Sequence, residues 1–234
     1  MDWGRVWTAK NWERLLVGNL NSTGEAGGLL LTLEIGLLSI VLATILGAVI
    51  GLMRHSSRAI LYLPALVYIE ILRNVPLLIL VFWAYFVPPY FGVQTSKFVS
   101  VLVALTLFTS AYIAEIVRGG IRSIPAGTLD AARALGLSWV QSQLRIVLPI
   151  AFYNMIPALS GRYVVAIKNT SLAFLIGLSD LTEVGKQISN LLMTSPVEVY
   201  ATLILIYFVV NALLSQGMRL LENRRRFGKL FARF

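Results

Sequence analysis

Residues 125–149 read Pro-Ala-Gly-Thr-Leu-Asp-Ala-Ala-Arg-Ala-Leu-Gly-Leu-Ser-Trp-Val-Gln-Ser-Gln-Leu-Arg-Ile-Val-Leu-Pro. This is the longest stretch in the middle of the chain that is too polar to cross a membrane, and strongly apolar stretches flank it on both sides. Local signals divide it into two short helices. Pro125 suits a first helical turn, where a missing N–H costs nothing. Asp130 falls near the positive end of that helix, and Gly136 is a natural stop because it tolerates φ > 0. Ser138 is placed to cap a second helix from Trp139 to about Leu148, which Pro149 ends. Arg133, Gln141, Gln143 and Arg145 keep the pair in water, and Ala131, Ala132 and Ala134 make a smooth surface that a partner can approach closely.

The rest of the composition points to the bilayer. Of 234 residues, 57% are hydrophobic and 13% charged, and the mean hydropathy is +0.77. A soluble domain usually carries about 25% charged residues. The net charge of +9 would suggest nucleic acid in a soluble protein. Here the positive residues sit in loops and the tail, so topology and anionic lipid explain them better. With no cysteine there is no disulfide, thiol chemistry or Cys-based metal site, and the one histidine, His55, lies in a short basic loop. Met1-Asp2-Trp3-Gly4-Arg5 is not followed by an apolar run, so the sequence shows no cleavable signal peptide.

In chain order, residues 1–26 form an amphipathic, Trp-rich segment suited to the extracytoplasmic membrane interface, with Asn21-Ser22-Thr23-Gly24 as a loop. Residues 27–222 form a domain of five expected spans, and 223–234 a basic cytoplasmic tail. Span one covers about Gly27–Met53, with Gly36, Ala43, Gly47 and Gly51 spaced for close helix packing. Span two, about Ile60–Val87, contains Pro64 and Pro76 and cannot be straight. Glu70 and Arg73 lie three apart in it, close enough to pair on one helix face. Charges at membrane depth usually face a bundle interior. Span three runs from about Phe98 to Ile116, with Glu115 one turn from Arg118. Span four, about Tyr153–Leu178, is interrupted by Pro157, Arg162 and Lys168-Asn169-Thr170-Ser171, a polar run that must line a cavity or a protein interface. Ser179 to Ser195 reads as a short extramembrane helix, and span five covers about Val199–Met218.

Five spans put the termini on opposite sides. With the tail inside, Arg54, Arg58, Arg118, Arg122, Arg133 and Arg145 join Arg219, Arg224, Arg225, Arg226, Lys229 and Arg233 in the cytoplasm. Arg5, Lys10, Arg14, Lys97 and Lys186 fall outside, and the reverse orientation would invert this bias. The expected location is the bacterial inner membrane, multi-pass, with the N-terminus outside and 125–149 facing the cytoplasm.

The spacing Asp130-Ala131-Ala132, Gly136, Ile146, Leu148-Pro149 resembles the coupling loop of permease subunits in binding-protein-dependent ABC importers. Asp130 stands where that family usually has Glu. The resemblance implies the all-α type I permease fold, five membrane helices with a cytoplasmic coupling helix seated in a separate ATPase. Tyr68–Leu78, Ala111–Ile121 and Ile167–Ala173 further resemble the polar amino-acid subfamily, and Arg73-Asn74-Val75-Pro76 its glutamate/aspartate branch. This implies, as partners, a second permease subunit, identical or homologous, two ATP-binding subunits and an extracytoplasmic amino-acid-binding protein. It also implies a substrate site from Glu70, Arg73, Asn74, Lys168, Asn169, Thr170 and Ser171.

Many relatives have Asp where this chain has Asn169. In a cavity of effective dielectric near 20, an Asp would repel a carboxylate at 4 Å by about 4 kcal/mol, whereas Asn hydrogen-bonds without repulsion. Acidic amino acids are therefore the expected substrates, with Arg73 and Lys168 supplying positive charge and Glu70 opposing unless neutralised. Blander readings stand beside these. The loop is also compatible with an amphipathic hairpin on the membrane surface, Glu70–Arg73 with an internal pair, Asn169–Ser171 with interhelical hydrogen bonding, and Lys168 with snorkelling. No phosphate loop, His-Glu-x-x-His or Ser-His-Asp set occurs, so neither ATP hydrolysis, a cofactor, a metal nor another catalytic activity is expected of this chain. An ion-coupled secondary amino-acid transporter, an importer of glutamine or basic amino acids, and a structural membrane subunit are the competing classes.

Overall fold

The computed structural model describes residues 3–18, 26–193 and 196–231, with the side chains of residues 221 and 223–231 outside that description. The expected Asn21–Gly24 loop therefore lies outside the described residues, as do residues 232–234 of the expected tail. Among the described residues every regular element is a helix, and one isolated bridge pairs Gly28 with Asp180.

Two short helices, α1 (Trp3–Val6) and α2 (Ala9–Val17), precede the membrane domain. The Thr8 side chain caps α2 by accepting from the Asn11 N–H. Both helices fold back on the bundle: Val6 and Leu15 are buried against α10 (Leu181–Leu192) and the start of α11 (Pro196–Phe231). The Trp7 indole N–H donates to Thr202 Oγ1 at 3.1 Å.

Helix α3 (Gly28–His55) is span one, and it packs most intimately on α6 (Lys97–Arg122), span three. The expected small-residue stripe is the contact surface. A Cβ on Gly47 would lie 2.8 Å from the Ser110 carbonyl oxygen, so the backbones meet where only glycine fits. Span two is broken into α4 (Ala59–Asn74) and α5 (Leu77–Phe86), with a 103° bend between α4 and the segment Leu77–Phe91. Its cause is local: Val75, ahead of Pro76, is driven to extended geometry (φ −98, ψ 132). Pro64 stays inside α4. Among the described residues four helices are thus long and apolar enough to span, and the bent pair, counted as one span, makes five.

Span four differs from its expected boundaries. α7 (Ala126–Ala134) is followed by α8 (Trp139–Ser142), a π-helical turn (Gln143–Val147) and α9 (Leu148–Asn169), then a 3-10 segment Thr170–Ile176. Pro149 does not end the loop helix. The Leu148 N–H bonds five residues back to the Gln143 carbonyl, and this wide turn brings Pro149 into the first turn of α9, where its missing N–H is harmless. The helical run Trp139–Ile176 is 38 residues, about 57 Å at 1.5 Å per residue, against roughly 30 Å of hydrocarbon. The run is therefore longer than one crossing of the hydrocarbon requires. Pro157 and Arg162 also lie within the continuous helix rather than interrupting it, and the regular winding stops at Asn169.

The bundle has two distinct ends. At one, Ser123 Oγ accepts from Asn154 Nδ2 at 2.9 Å and the α7–α8 pair projects. At the other, Gly28 N–H donates to the Ser179 carbonyl, Lys97 Nζ to the Gly177 carbonyl, and α10 lies with its apolar face on α11.

Candidate functional site

The loop between α6 and α9 holds two short helices whose junction is closed by capping hydrogen bonds. Gly136 sits at φ +75 and closes α7, with its N–H on the Arg133 carbonyl (2.9 Å) and the Leu137 N–H on the Ala132 carbonyl (3.2 Å). Two residues later Ser138 and Gln141 exchange side-chain and backbone hydrogen bonds in a capping box, at 3.3 and 2.9 Å. The loop thus turns sharply without becoming loose. Asp130 does not act at the helix start as expected. It lies past the first turn of α7 and pairs with Arg133 at 3.4 Å on the exposed surface. Ala132 is buried, Ile146 half-buried, and Ala131, Gly136, Leu148 and Pro149 are exposed.

Sequence reasoning missed the most telling part of this loop. Leu135, Trp139, Val140 and Leu144 are 80%, 69%, 56% and 61% exposed, four large apolar side chains on the α7–α8 loop. Exposed apolar groups of this kind suit contact with a protein or with the membrane surface. The signal available was a Leu and Trp flanking the Gly136-Leu137-Ser138 turn, which reads as helix-packing residues until the turn geometry shows them pointing outward.

At membrane depth the broken span two meets spans three and four. The expected Glu70–Arg73 ion pair does not form. Asn74 Nδ2 donates to the Glu70 carbonyl (2.7 Å) and lies 3.4 Å from the Glu70 carboxylate. Arg73 instead lies over the Tyr112 ring, 5.4 Å from its centre. All three side chains are on the exposed face of this chain rather than in its interior.

Arg73 and Tyr112 line a cavity of about 430 Å³ together with Glu115, Gly161, Arg162 and Val165. Arg162 packs on the same aromatic residues, 3.9 Å from the Tyr112 centroid and 5.1 Å from that of Phe108. Glu115 is held by Arg118, whose Nε lies 3.1 Å from both carboxylate oxygens, the pairing its spacing suggested. The fourth-span polar run is split. Lys168 and Ser171 line a separate cavity of about 700 Å³ against α11, beside Tyr207 and Asn211. Ser171 Oγ donates to the Lys168 carbonyl. Thr170 is fully buried, bonded to the Ile167 carbonyl and packed toward Gly36. Asn169 is half-buried at the end of α9. A single copy therefore does not gather the seven expected substrate residues into one pocket. It places Arg73 in one cavity and Lys168 with Ser171 in another.

A bundle of helices long and apolar enough to span a bilayer, one of them broken, with a helical loop outside the main bundle, defines a multi-pass integral membrane protein. The chain belongs to the family of binding-protein-dependent transport system inner membrane components, whose profile matches residues 37–227. It is 35% identical over 202 residues to a probable glutamine ABC transporter permease protein of Bacillus subtilis (strain 168), covering 85% of this chain and 92% of the relative. It is 36% identical over 211 residues to a glutamate/glutamine/aspartate/asparagine transport system permease protein of Rhodobacter capsulatus, covering 86% of this chain and 48% of the relative. Among solved structures it is similar to an amino acid ABC transporter determined with histidines, with a TM-score of 0.79, 33% identity, and 84% and 92% of the two chains covered.

Proposed function

We propose that this chain is the permease subunit of an ATP-driven importer of polar amino acids, with glutamate or aspartate as substrate. On this reading residues 125–149 face the cytoplasm and seat in a separate ATPase, a second permease subunit completes the path, and an extracytoplasmic binding protein delivers the substrate. The observation that carries the coupling role is the set of four exposed apolar side chains, Leu135, Trp139, Val140 and Leu144, on the capped α7–α8 loop, a surface that suits a partner. The acidic preference is supported by Asn169, where an acid would repel a carboxylate, and by Lys168 and Arg73 near the path. Glutamine is a second reading, favoured by the naming of the Bacillus relative.

ATP hydrolysis by the reconstituted complex, with its binding protein, tests both parts. Stimulation by glutamate or aspartate and not by arginine is expected, and Trp139→Asp should abolish it. Stimulation by glutamine alone moves the substrate to the second reading. A Trp139→Asp complex that still hydrolyses and transports normally removes the loop from coupling.

A further inference from the structure

Spans one and three run parallel. A Cβ added to Gly47 would meet Ser110 and Ile113, and one added to Gly51 would meet Ala114 and Val117. The same offset places Glu34 of α3 level with Lys97 and Phe98, at the start of α6. These opposite charges form no ion pair. Both instead line a cavity of about 740 Å³ at the end of the bundle away from the α7–α8 loop, with Ser96, Ser179 and Gln187 as further polar groups in its walls.

Lys97 is tied elsewhere. Its Nζ donates to the Gly177 carbonyl at 2.9 Å, which fixes the ammonium and leaves two of its three N–H donors. The same corner is the positive end of α6, a helix of 26 residues. Its Ser96 cap satisfies the Val99 N–H, while the Lys97 and Phe98 N–H groups precede the first intrahelical bond. Glu34 is the opposite case. It lies two turns into a spanning helix, with Leu30, Leu37 and Leu38 exposed around it, and has no hydrogen-bond or ion-pair partner among the described residues. A carboxylate in such surroundings is unfavourable without a cation.

We infer that this cavity binds a zwitterion, with its ammonium on Glu34 and its anionic oxygens on Lys97 and the first turn of α6. A ligand with one charge leaves one end of the cavity unmatched, whereas a zwitterion satisfies both. Two sources carry this chemistry: a free amino acid, and the ethanolamine phosphate headgroup of a membrane lipid. The volume falls within the roughly 300–1,000 Å³ of small-molecule sites. No residue of this lining belongs to the cavity beside Tyr112 or to the one beside Lys168.

The amino-acid source rests on the reading of the chain as an amino-acid permease; the charge pattern does not. The chain has no cysteine, so Ser179→Cys puts a single thiol of this chain in the cavity wall. The assembled complex carrying it is placed in phosphatidylglycerol nanodiscs, without ATP or binding protein, and its labelling by a maleimide is timed. Glycine and glutamate should slow labelling saturably, by about fivefold or more. Glycinamide and acetate, with one charge each, should not. Glu34→Gln, at a side chain with no partner to lose, should raise the half-protecting glycine concentration about tenfold or more, and Lys97→Gln should act in the same direction. Nanodiscs with phosphatidylethanolamine separate the sources. If the headgroup is the ligand, labelling is slow there without any amino acid, and Glu34→Gln restores it. The site is overturned if neither the amino acids nor phosphatidylethanolamine slow labelling, if glycinamide or acetate protects as well as glycine, or if protection survives Glu34→Gln. Amino-acid uptake by the complete complex is measured separately, so normal uptake without protection overturns this site alone.

Discussion

A Cβ placed on Gly51 would sit 2.7 Å from the carbonyl oxygen of Ala114, and 2.8 Å from Cβ of Val117. Two spans therefore touch backbone to backbone at this level, and neither obstacle is the free end of a side chain. Gly51→Ala must push α3 off α6, which should cost about 1–3 kcal/mol. A thermal unfolding scan in detergent should show a clear drop. Gly217 is the control: nothing lies within 4 Å of its added Cβ, and Gly217→Ala should be neutral or stabilising by about 0.5–1 kcal/mol, since alanine is the better helix former.

Gly136 presents the opposite case, where space is free and the backbone decides. Nothing lies within 4 Å of its added Cβ, yet φ is +75 and the N–H is bonded to Arg133. Gly136→Ala should therefore cost only about 1 kcal/mol. Gly136→Pro cannot adopt that φ and loses the donor, so the angle between α7 and α8 must change. Transport should fall severely while the complex still assembles and hydrolyses ATP at its basal rate. Paired uptake and hydrolysis assays on the reconstituted complex check this. Normal transport by Gly136→Pro would show that the loop is not the lever.

What the sequence made legible, and what it hid, follows from range. The Gly136 stop and Ser138 cap are written within a few residues, and the structure keeps both. The glycine stripe of span one is legible because its period is that of the helix itself. Pro149 misleads because a π turn ending two residues before it absorbs the proline that would ordinarily stop a helix. Glu70 and Arg73 have the spacing of an ion pair, but Asn74 takes the glutamate side and Tyr112, nearly forty residues away, takes the arginine. Arg162 was readable only as an interruption of span four. Its meaning depends on Phe108 and Tyr112, which face it from another helix, and no local pattern records that meeting.

Asp180 gives the molecule a pH dependence of definite sign. It caps α10 through Oδ1, which accepts from the Glu183 N–H at 3.0 Å, while Oδ2 is buried without a hydrogen bond. Burial pushes its carboxyl from 3.8 up to about 7, with Glu183 nearby adding to the effect and the backbone hydrogen bonds opposing it. Between those two values the folded state holds a proton that the unfolded chain has released. Stability must therefore fall as pH rises from about 4 to about 7, then level off. Asp180→Asn keeps an acceptor for the cap and has no proton to lose. Its melting temperature should lack this slope and exceed that of wild type at pH 8, by differential scanning fluorimetry across pH 4–8.

Asn169 tests electrostatics on the transport path. It lies half-buried at the end of α9, seven residues beyond Arg162, on the face that carries the cavity wall. Asn169→Asp adds one negative charge and changes the volume little. At an effective dielectric near 20 a unit pair at 4 Å is worth about 4 kcal/mol, and at twice that distance about half as much. Transport of glutamate should drop by tenfold or more in proteoliposomes, and ATP hydrolysis stimulated by glutamate should fall with it. Glutamine, neutral in its side chain, should lose much less. If both amino acids fall equally, the new charge acts on the shared α-carboxylate, and side-chain selection belongs to the binding protein. If neither changes, residue 169 does not face the substrate, and the acidic preference loses the argument that rests on its missing charge.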